Sequence, residues 1–141
     1  MFRLIYSSHS TIPPGQRQGV LANIFDVARS KNKKAGVTGA LLVTDHWFVQ
    51  TLEGDEATVT ALFEQIRGDT RHERVSVVET GFVGERTFPR WSMAQVSKSG
   101  HADIPLHNVG GRIHSAARVN QTEAQRALLT RMRNVIGADT V

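Results

Sequence analysis

A chain of 141 residues with 40% hydrophobic residues and no cysteine predicts one globular domain without disulfides or thiolate metal sites. No apolar run approaches the ~20 residues that cross a bilayer, and the N-terminus resembles a strand rather than a signal peptide, so we expect a cytoplasmic protein without a membrane anchor. The net charge of +4 and the pI of about 10.1 would suit nucleic acid, but the basic residues are scattered over the regions 29–34 and 126–133. We interpret these regions as solvated faces and do not predict nucleic-acid binding.

The chain opens with a strand followed by a helix. Residues 2–8 are a short β-rich run that ends in polar turn residues, which predicts a first strand. Between residues 16 and 31, apolar side chains recur at helical spacing, and Gly36 lies beyond the end of the predicted helix.

A hairpin and a second helix follow. Residues 37–44 and 47–53 are two apolar runs separated by two residues, which predicts a pair of strands with a tight turn. Asp55 is a suitable N-cap for a helix that reaches Arg67. A fourth strand is predicted over about 74–83.

A fifth strand over about 91–97 completes the order β-α-β-β-α-β plus one strand. This order is typical of an α+β, ferredoxin-like sheet with two helices on one face. In that topology the first and third strands are central neighbours, so Tyr6 and Gln50 should meet.

The last third of the chain differs in composition. Residues 98–120 are rich in Gly, Ser, His and Asn, which predicts a linker. Thr122 and Gln125 match a capping box, and the helix that follows carries an apolar face. We therefore expect a domain over 1–97 and, in the same compact unit, a linker and amphipathic helix over 98–141. That helix would favour a homo-oligomer.

Known catalytic motifs are missing from the sequence. There is no HExxH, GxSxG, P-loop or GxGxxG, and no persuasive acid–base pair, so we do not predict an enzyme. Three neutral polar side chains instead lie within apolar elements, namely Tyr6, Gln50 and Asn32. A buried phenol or amide without a partner costs about 1–3 kcal/mol. They would either satisfy one another and the backbone, or line a site for a flat heteroaromatic ligand.

The chain resembles the BLUF domains, blue-light receptors that use FAD. Five segments carry the resemblance in the right order: LIYSS (4–8), ARSKNKKAGVTGALL (28–42), FVQTLEG (48–54), IRGDTRHERV (66–75) and FPRWSM (88–93). It covers roughly residues 2–97. It implies a noncovalently bound flavin, either FAD or, with the same ring contacts, FMN or riboflavin.

The resemblance also implies roles for individual residues. Tyr6 matches the photoactive tyrosine, Gln50 the glutamine beside flavin N5, and Asn32 the asparagine at the C4 carbonyl and N3 edge. Ile24 and Ile66 match the residues that sandwich the ring. The remaining matches are Lys31, Phe48, Asp69, Arg71 and His72 around the cofactor, and Trp91 and Met93 in the signalling strand. Lys31 departs from the arginine or histidine common in the family, which puts its particular contact in doubt.

The implied function is a light-driven switch. An electron and a proton leave Tyr6 by way of Gln50, the hydrogen bonds to the flavin change, and the fifth strand and last helix signal to an unidentified protein partner. The sequence leaves no room for a cyclase or phosphodiesterase effector, so a short stand-alone receptor is expected.

Three other interpretations stay open. An RNA-binding module would use Tyr6 and Phe48, although residues 47–52 lack its Gly-aromatic basic signature. An acylphosphatase-like enzyme finds only a faint match at residues 17–20. A passive flavin binder is disfavoured because both Tyr6 and Gln50 are present. Plain core packing also explains Ile24, Ile66, Trp91 and Met93 taken singly.

Overall fold

The computed structural model describes residues 1–98, 102–109, 112–115 and 121–137, with the backbone alone for 105–109 and 112–115. Its elements follow the chain as β1 (Phe2–Ser10), α1 (Arg17–Ala35), β2 (Thr38–Val43), β3 (Trp47–Gly54), α2 (Glu56–Arg67), β4 (His72–Phe82), β5 (Ala94–Ser97), β6 (Ile104–Val109), β7 (Arg112–Ser115) and α3 (Glu123–Ile136). Within these ranges, none of the helices is long and apolar enough to span a membrane.

The strands form one mixed sheet in the order β4-β1-β3-β2-β5-β6-β7. The first four strands in this order pair antiparallel, which confirms the predicted α+β, ferredoxin-like arrangement. β5 joins β2 in parallel and β6 joins β5 in parallel, while β7 pairs antiparallel with β6. β1 and β3 are therefore central neighbours, as expected.

The two faces of the sheet are covered by different helices. Because side chains alternate along a strand, β3 sends Phe48, Gln50 and Leu52 to one face and Val49 and Thr51 to the other. On the first face the strands pack against α1 and α2, through buried residues that include Phe25, Val59 and Phe63. On the second face they pack against α3, through Leu128, Leu129 and Met132.

The local signals in the sequence act as predicted. The Asp55 carboxylate accepts from the Thr58 backbone N–H at 3.3 Å and so caps α2. The Thr122 hydroxyl and the Gln125 side chain form the capping box of α3. Gly36 ends α1 in the left-handed conformation, with a φ of 69°, which a glycine adopts without a Cβ clash.

The sequence did not predict β6 and β7. They occupy part of the stretch 98–120 that was interpreted as a linker, so this stretch extends the sheet instead. Both strands lie at one end of the sheet, and β7 is only four residues long. β6 contains a proline and β7 has only four residues, so neither strand leaves a clear period-two pattern in the sequence. β5 is also shorter than predicted, since it begins at Ala94.

The sheet of the same chain covers the apolar face of α3. Leu128 and Met132 are each 1% exposed, so these side chains are unavailable to a second copy. The amphipathic helix therefore no longer supports a homo-oligomer. Val135 of the same helix is exposed, because it lies away from the contact with the sheet.

Gly39 of β2 lies too close to the backbone of β3 to accept a side chain. A Cβ at this position would overlap the backbone oxygen of Thr51, which cannot move without breaking the ladder. We expect Gly39→Ala to lower the free energy of unfolding by about 2–4 kcal/mol, as overpacking against backbone does. Urea denaturation measures this. Gly84→Ala, where a Cβ meets nothing within 4 Å, is the control and should change stability little. Equal stabilities for the two variants would contradict the argument.

Candidate functional site

A cleft opens between α1 and α2 above the central strands. Its volume of about 160 Å³ is far more than one water needs. The side chains around it are Tyr6, Ile24, Val27, Ala28, Lys31, Asn32, Leu41, Phe48, Gln50, Leu62, Gln65, Ile66, Asp69, Arg71 and His72. All ten residues predicted to surround a cofactor are among them, so the fold brings the predicted set together.

The floor of the cleft is a hydrogen-bonded pair on the two central strands. Tyr6 and Gln50 are direct partners in the β1–β3 ladder, and the Tyr6 hydroxyl donates to Gln50 Oε1. Gln50 Nε2 in turn donates to the Met93 sulfur at 3.3 Å. Tyr6 is 3% exposed and Gln50 4%, so both polar groups are satisfied within the protein interior.

Burial keeps Tyr6 in its neutral form. Desolvation raises the pKa of the phenol far above its usual range, and the negative charge of Asp69 adds to this. The rings of Phe63 and His72 lie 5.4 Å and 6.1 Å from the Tyr6 ring. The hydroxyl is therefore protonated at physiological pH and donates to Gln50.

Asn32 joins the cleft to the segment before β5. The side chain is 2% exposed, and its Nδ2 donates to the Ser92 backbone oxygen at 2.8 Å. A primary amide has two N–H donors and an acceptor oxygen. Asn32 therefore keeps hydrogen-bonding capacity for a ligand edge after it has fixed Ser92.

Aliphatic side chains form the walls of the cleft. Half-buried Ile24 lines it from α1 and half-buried Ile66 lines it from α2. Val27, Ala28 and Leu62 line it too, although the prediction of site residues missed them. Their spacing from the two isoleucines is three or four residues, so helical periodicity was the signal that could have found them.

Charged groups surround the mouth of the cleft. Arg71 donates to both oxygens of Asp69, at 2.5–3.1 Å, and to Asn23 Oδ1 at 3.0 Å. These hydrogen bonds hold the pKa of the Asp69 carboxyl below its usual range and raise that of Arg71. Arg71 is thus largely committed to its neighbours, whereas Lys31 is exposed at the rim.

His72 uses both ring nitrogens within the protein. Nε2 lies 2.7 Å from the Ile66 backbone oxygen and Nδ1 lies 2.7 Å from Ser8 Oγ. Because a carbonyl only accepts, Nε2 carries the proton. Toward the cleft His72 therefore offers its ring rather than a free nitrogen, and it ties the end of α2 to β1.

The two residues for which the resemblance implies a signalling role lie on opposite faces of the sheet. Met93 is buried beside Gln50, whereas Trp91 packs against the cluster that contains α3. The sequence could not choose between them, because the backbone from 91 to 93 is not a regular strand. In the structure, Met93 lies beside the Gln50 side-chain amide.

The chemistry of this cleft suits one kind of ligand. Two aliphatic walls would enclose a flat ring, a buried amide and a neutral phenol lie at its floor, and cations lie at its mouth. Such a site defines a domain that binds a planar heteroaromatic cofactor. The donors, acceptors and walls fit the isoalloxazine ring of a flavin.

Comparison with known proteins agrees with this class. The family model described as BLUF, sensors of blue-light using FAD, matches residues 1–94. The photoactivated adenylate cyclase subunit alpha of Euglena gracilis is 38% identical over 101 residues, which are 72% of this chain and 10% of that protein. This chain therefore spans about a tenth of the length of the curated relatives that it matches.

Solved structures give the same result. BlsA in its photo-activated state has a TM-score of 0.67 and 34% identity, over 70% of this chain and 71% of that one. BlrB, a BLUF protein in its dark state, has a TM-score of 0.66 and 32% identity, over 69% of this chain and 72% of that one. The chain belongs to the BLUF family of flavin-binding blue-light sensors, and the cofactor that defines the family is FAD.

The raised pKa of Tyr6 predicts how the protein responds to alkaline pH. The unfolded chain loses this proton near pH 10, before the folded chain does, so stability falls as the pH rises through that value. Because Tyr6 is the only tyrosine, ¹³Cζ-labelled tyrosine gives one NMR resonance. It should keep the chemical shift of the phenol until circular dichroism reports unfolding.

The Tyr6→Phe variant has no group that ionises at this position and is the control. It should lose less stability than the parent protein between pH 9 and pH 11, the range around the ordinary tyrosine pKa of about 10. A phenolate resonance near pH 10 in a protein with unchanged circular dichroism would contradict the prediction.

Proposed function

We propose that this chain holds oxidised FAD in the cleft between α1 and α2 and signals blue light through Tyr6 and Gln50. The observation that carries the proposal is the buried hydrogen bond from the Tyr6 hydroxyl to Gln50 Oε1 at the floor of the cleft. Asn32 would hold the polar edge of the ring, and Ile24 and Ile66 would hold its two faces. Lys31, exposed at the rim of the cleft, is a cation that could meet the ribityl or phosphate groups.

When bound, the flavin supplies absorption of blue light and, once excited, a strong one-electron oxidant. Tyr6 is the electron donor, because it is the oxidisable side chain on the floor of the cleft. Loss of an electron makes the phenol strongly acidic. Its proton would then move along the existing hydrogen bond to Gln50 Oε1 without water, while Nε2 gives up one of its two protons toward the bound ring. The electron and a proton would return to Tyr6 when the charges recombine.

Gln50 can retain the light-induced change because its amide has a donor end and an acceptor end. A rotated or tautomerised amide presents different groups to Tyr6 and to the ligand. In the starting orientation Nε2 is held by the Met93 thioether, which is a weak acceptor. Rotation of the Gln50 amide away from that orientation therefore costs little free energy, and the amide can return thermally in the dark.

Two contacts would carry the change away from the cleft. Met93 connects Gln50 to the segment that enters β5. On the opposite face of the sheet, the hydroxyl of Thr51, the next residue along β3, donates to the Met132 sulfur of α3 at 3.3 Å. These contacts support an output through β5 and α3 to a protein partner. The role is that of a sensor and not of a catalyst.

The decisive measurement is an absorption spectrum of the purified protein before and after blue light. We expect a flavin spectrum that shifts slightly to the red and relaxes in the dark. Tyr6→Phe should abolish the shift, because the variant keeps the ring but has no hydroxyl to donate. Trp47→Phe, which alters an oxidisable residue outside the cleft lining, is the control and should retain it.

Each alternative has its own outcome. A flavin spectrum without any shift would leave a passive flavin binder. A colourless protein that cannot be reconstituted with FAD would contradict flavin binding. A full shift in Tyr6→Phe would remove Tyr6 as the donor.

Met93 and Trp91 provide a matched pair of variants on one segment. Met93→Leu removes the acceptor of Gln50 Nε2 and so destabilises the dark orientation of the amide. The loss of one weak hydrogen bond should slow dark recovery by about two- to fivefold. Trp91→Phe, on the other face of the sheet, should recover at the parent rate. The assignment fails if Trp91→Phe has the larger effect on the decay of the shifted absorbance.

A further inference from the structure

Arg29 joins three parts of the chain that are distant in sequence. From α1, its Nε donates to the Met93 backbone oxygen at 3.2 Å, and its Nη2 lies 2.6 Å from Asp103 Oδ2. The guanidinium also lies over the Phe25 ring, 5.2 Å from the centroid. The sequence had placed Arg29 on a solvated basic face, but the structure gives it three fixed contacts.

Asp103 continues this connection into the strands. The same Oδ2 that meets Arg29 accepts from the Gln95 backbone N–H at 2.7 Å. Asp103 directly precedes β6, whose first residue Ile104 is 1% exposed and pairs in parallel with Val96 of β5. One carboxylate oxygen thus holds α1, β5 and the start of β6 together.

The Arg29–Asp103 ion pair is strong enough to transmit a displacement between the elements that it joins. The side chains of Arg29 and Asp103 are 38% and 26% exposed, so the ion pair is partly shielded from solvent and its hydrogen bonds are charge-assisted. The Met93 backbone is thereby held, while the Met93 sulfur touches Gln50 Nε2. A displacement of Met93 therefore acts directly on Arg29.

From this geometry we propose that Arg29 is a positioning residue for Gln50 and that the Arg29–Asp103 pair couples the cleft to the β6–β7 hairpin. The coupling rests on the proposed function, because light supplies the change at Gln50. Asp103 and the hairpin lie beyond the residues 1–94 that the family model covers. The hairpin would then be the part of the sheet whose backbone responds to light.

Hydrogen exchange of the full-length, flavin-loaded protein tests the proposal. In the parent protein, peptides that contain β6 and β7 should exchange at different rates in the dark and under blue light. In Arg29→Gln and in Asp103→Asn this difference should disappear, and Asp103→Asn, whose side chain lies outside the cleft lining, should keep the red shift. A merely structural role would raise exchange equally in both conditions. Asp103→Asn keeps an oxygen for Gln95, so it guards against simple loss of folding.

Two further readouts sharpen the test. Dark recovery should slow by about three- to tenfold in each variant, as expected for the loss of a charge-assisted hydrogen bond that holds the dark arrangement. Both variants remove the Arg29–Asp103 pair, so the effect of the double variant should be smaller than the sum of the two single effects. Arg67→Gln breaks an exposed pair with Glu64 on α2 and should behave like the parent.

The possible failures are distinguishable. A parent protein without a red shift would defeat the proposed function itself. A normal red shift with no light-dependent exchange in β6 and β7, or with the same exchange difference in both variants, would overturn the coupling alone.

Discussion

The rest of the structure depends on one buried contact, the hydrogen bond between Tyr6 and Gln50. Neither the phenol nor the amide would be tolerated alone in an apolar interior, because each unsatisfied group costs about 1–3 kcal/mol. They satisfy each other because β1 and β3 pair with these residues in register. A slip of one residue would turn Gln50 toward α3 and leave Tyr6 without its partner. The register of the two central strands therefore determines the geometry of the site.

β3 organises the segment before β5 as well as the floor of the cleft. Three residues after Gln50, the fully buried Glu53 carboxylate accepts from the backbone N–H groups of Thr87 and Phe88, each at 2.7 Å. Arg86 donates to the Glu53 backbone oxygen at 2.9 Å. This network holds the segment that leads into Met93. One strand therefore positions both the amide and the residue that accepts from it.

Polar side chains of α1 complete the same arrangement from above. Asn32 holds the Ser92 carbonyl, and Arg29 holds the Met93 carbonyl and Asp103. The irregular backbone before β5 is thus fixed by side chains instead of a strand ladder. Such a segment has fewer cooperative hydrogen bonds than a regular strand, which is consistent with the proposed response to a change at Gln50.

The sequence by itself determined the elements up to β4, the helix caps and ten of the fifteen residues around the cleft, because periodicity, capping and the segments shared with the BLUF domains are properties of neighbouring residues. Only the tertiary structure decided that Met93 and not Trp91 lies beside the Gln50 amide. It also decided that the Arg71 guanidinium is hydrogen-bonded to Asp69 and that both ring nitrogens of His72 have partners within the protein. The pairing of β6 with β5 and the contact of Arg29 with Asp103 belong to the same group. The contacts of Gln50 with Met93, of Ser8 with His72 and of Arg29 with Asp103 join residues 43 to 74 positions apart. The other features are nearer in sequence, but they too follow from how the strands and helices pack rather than from any local pattern.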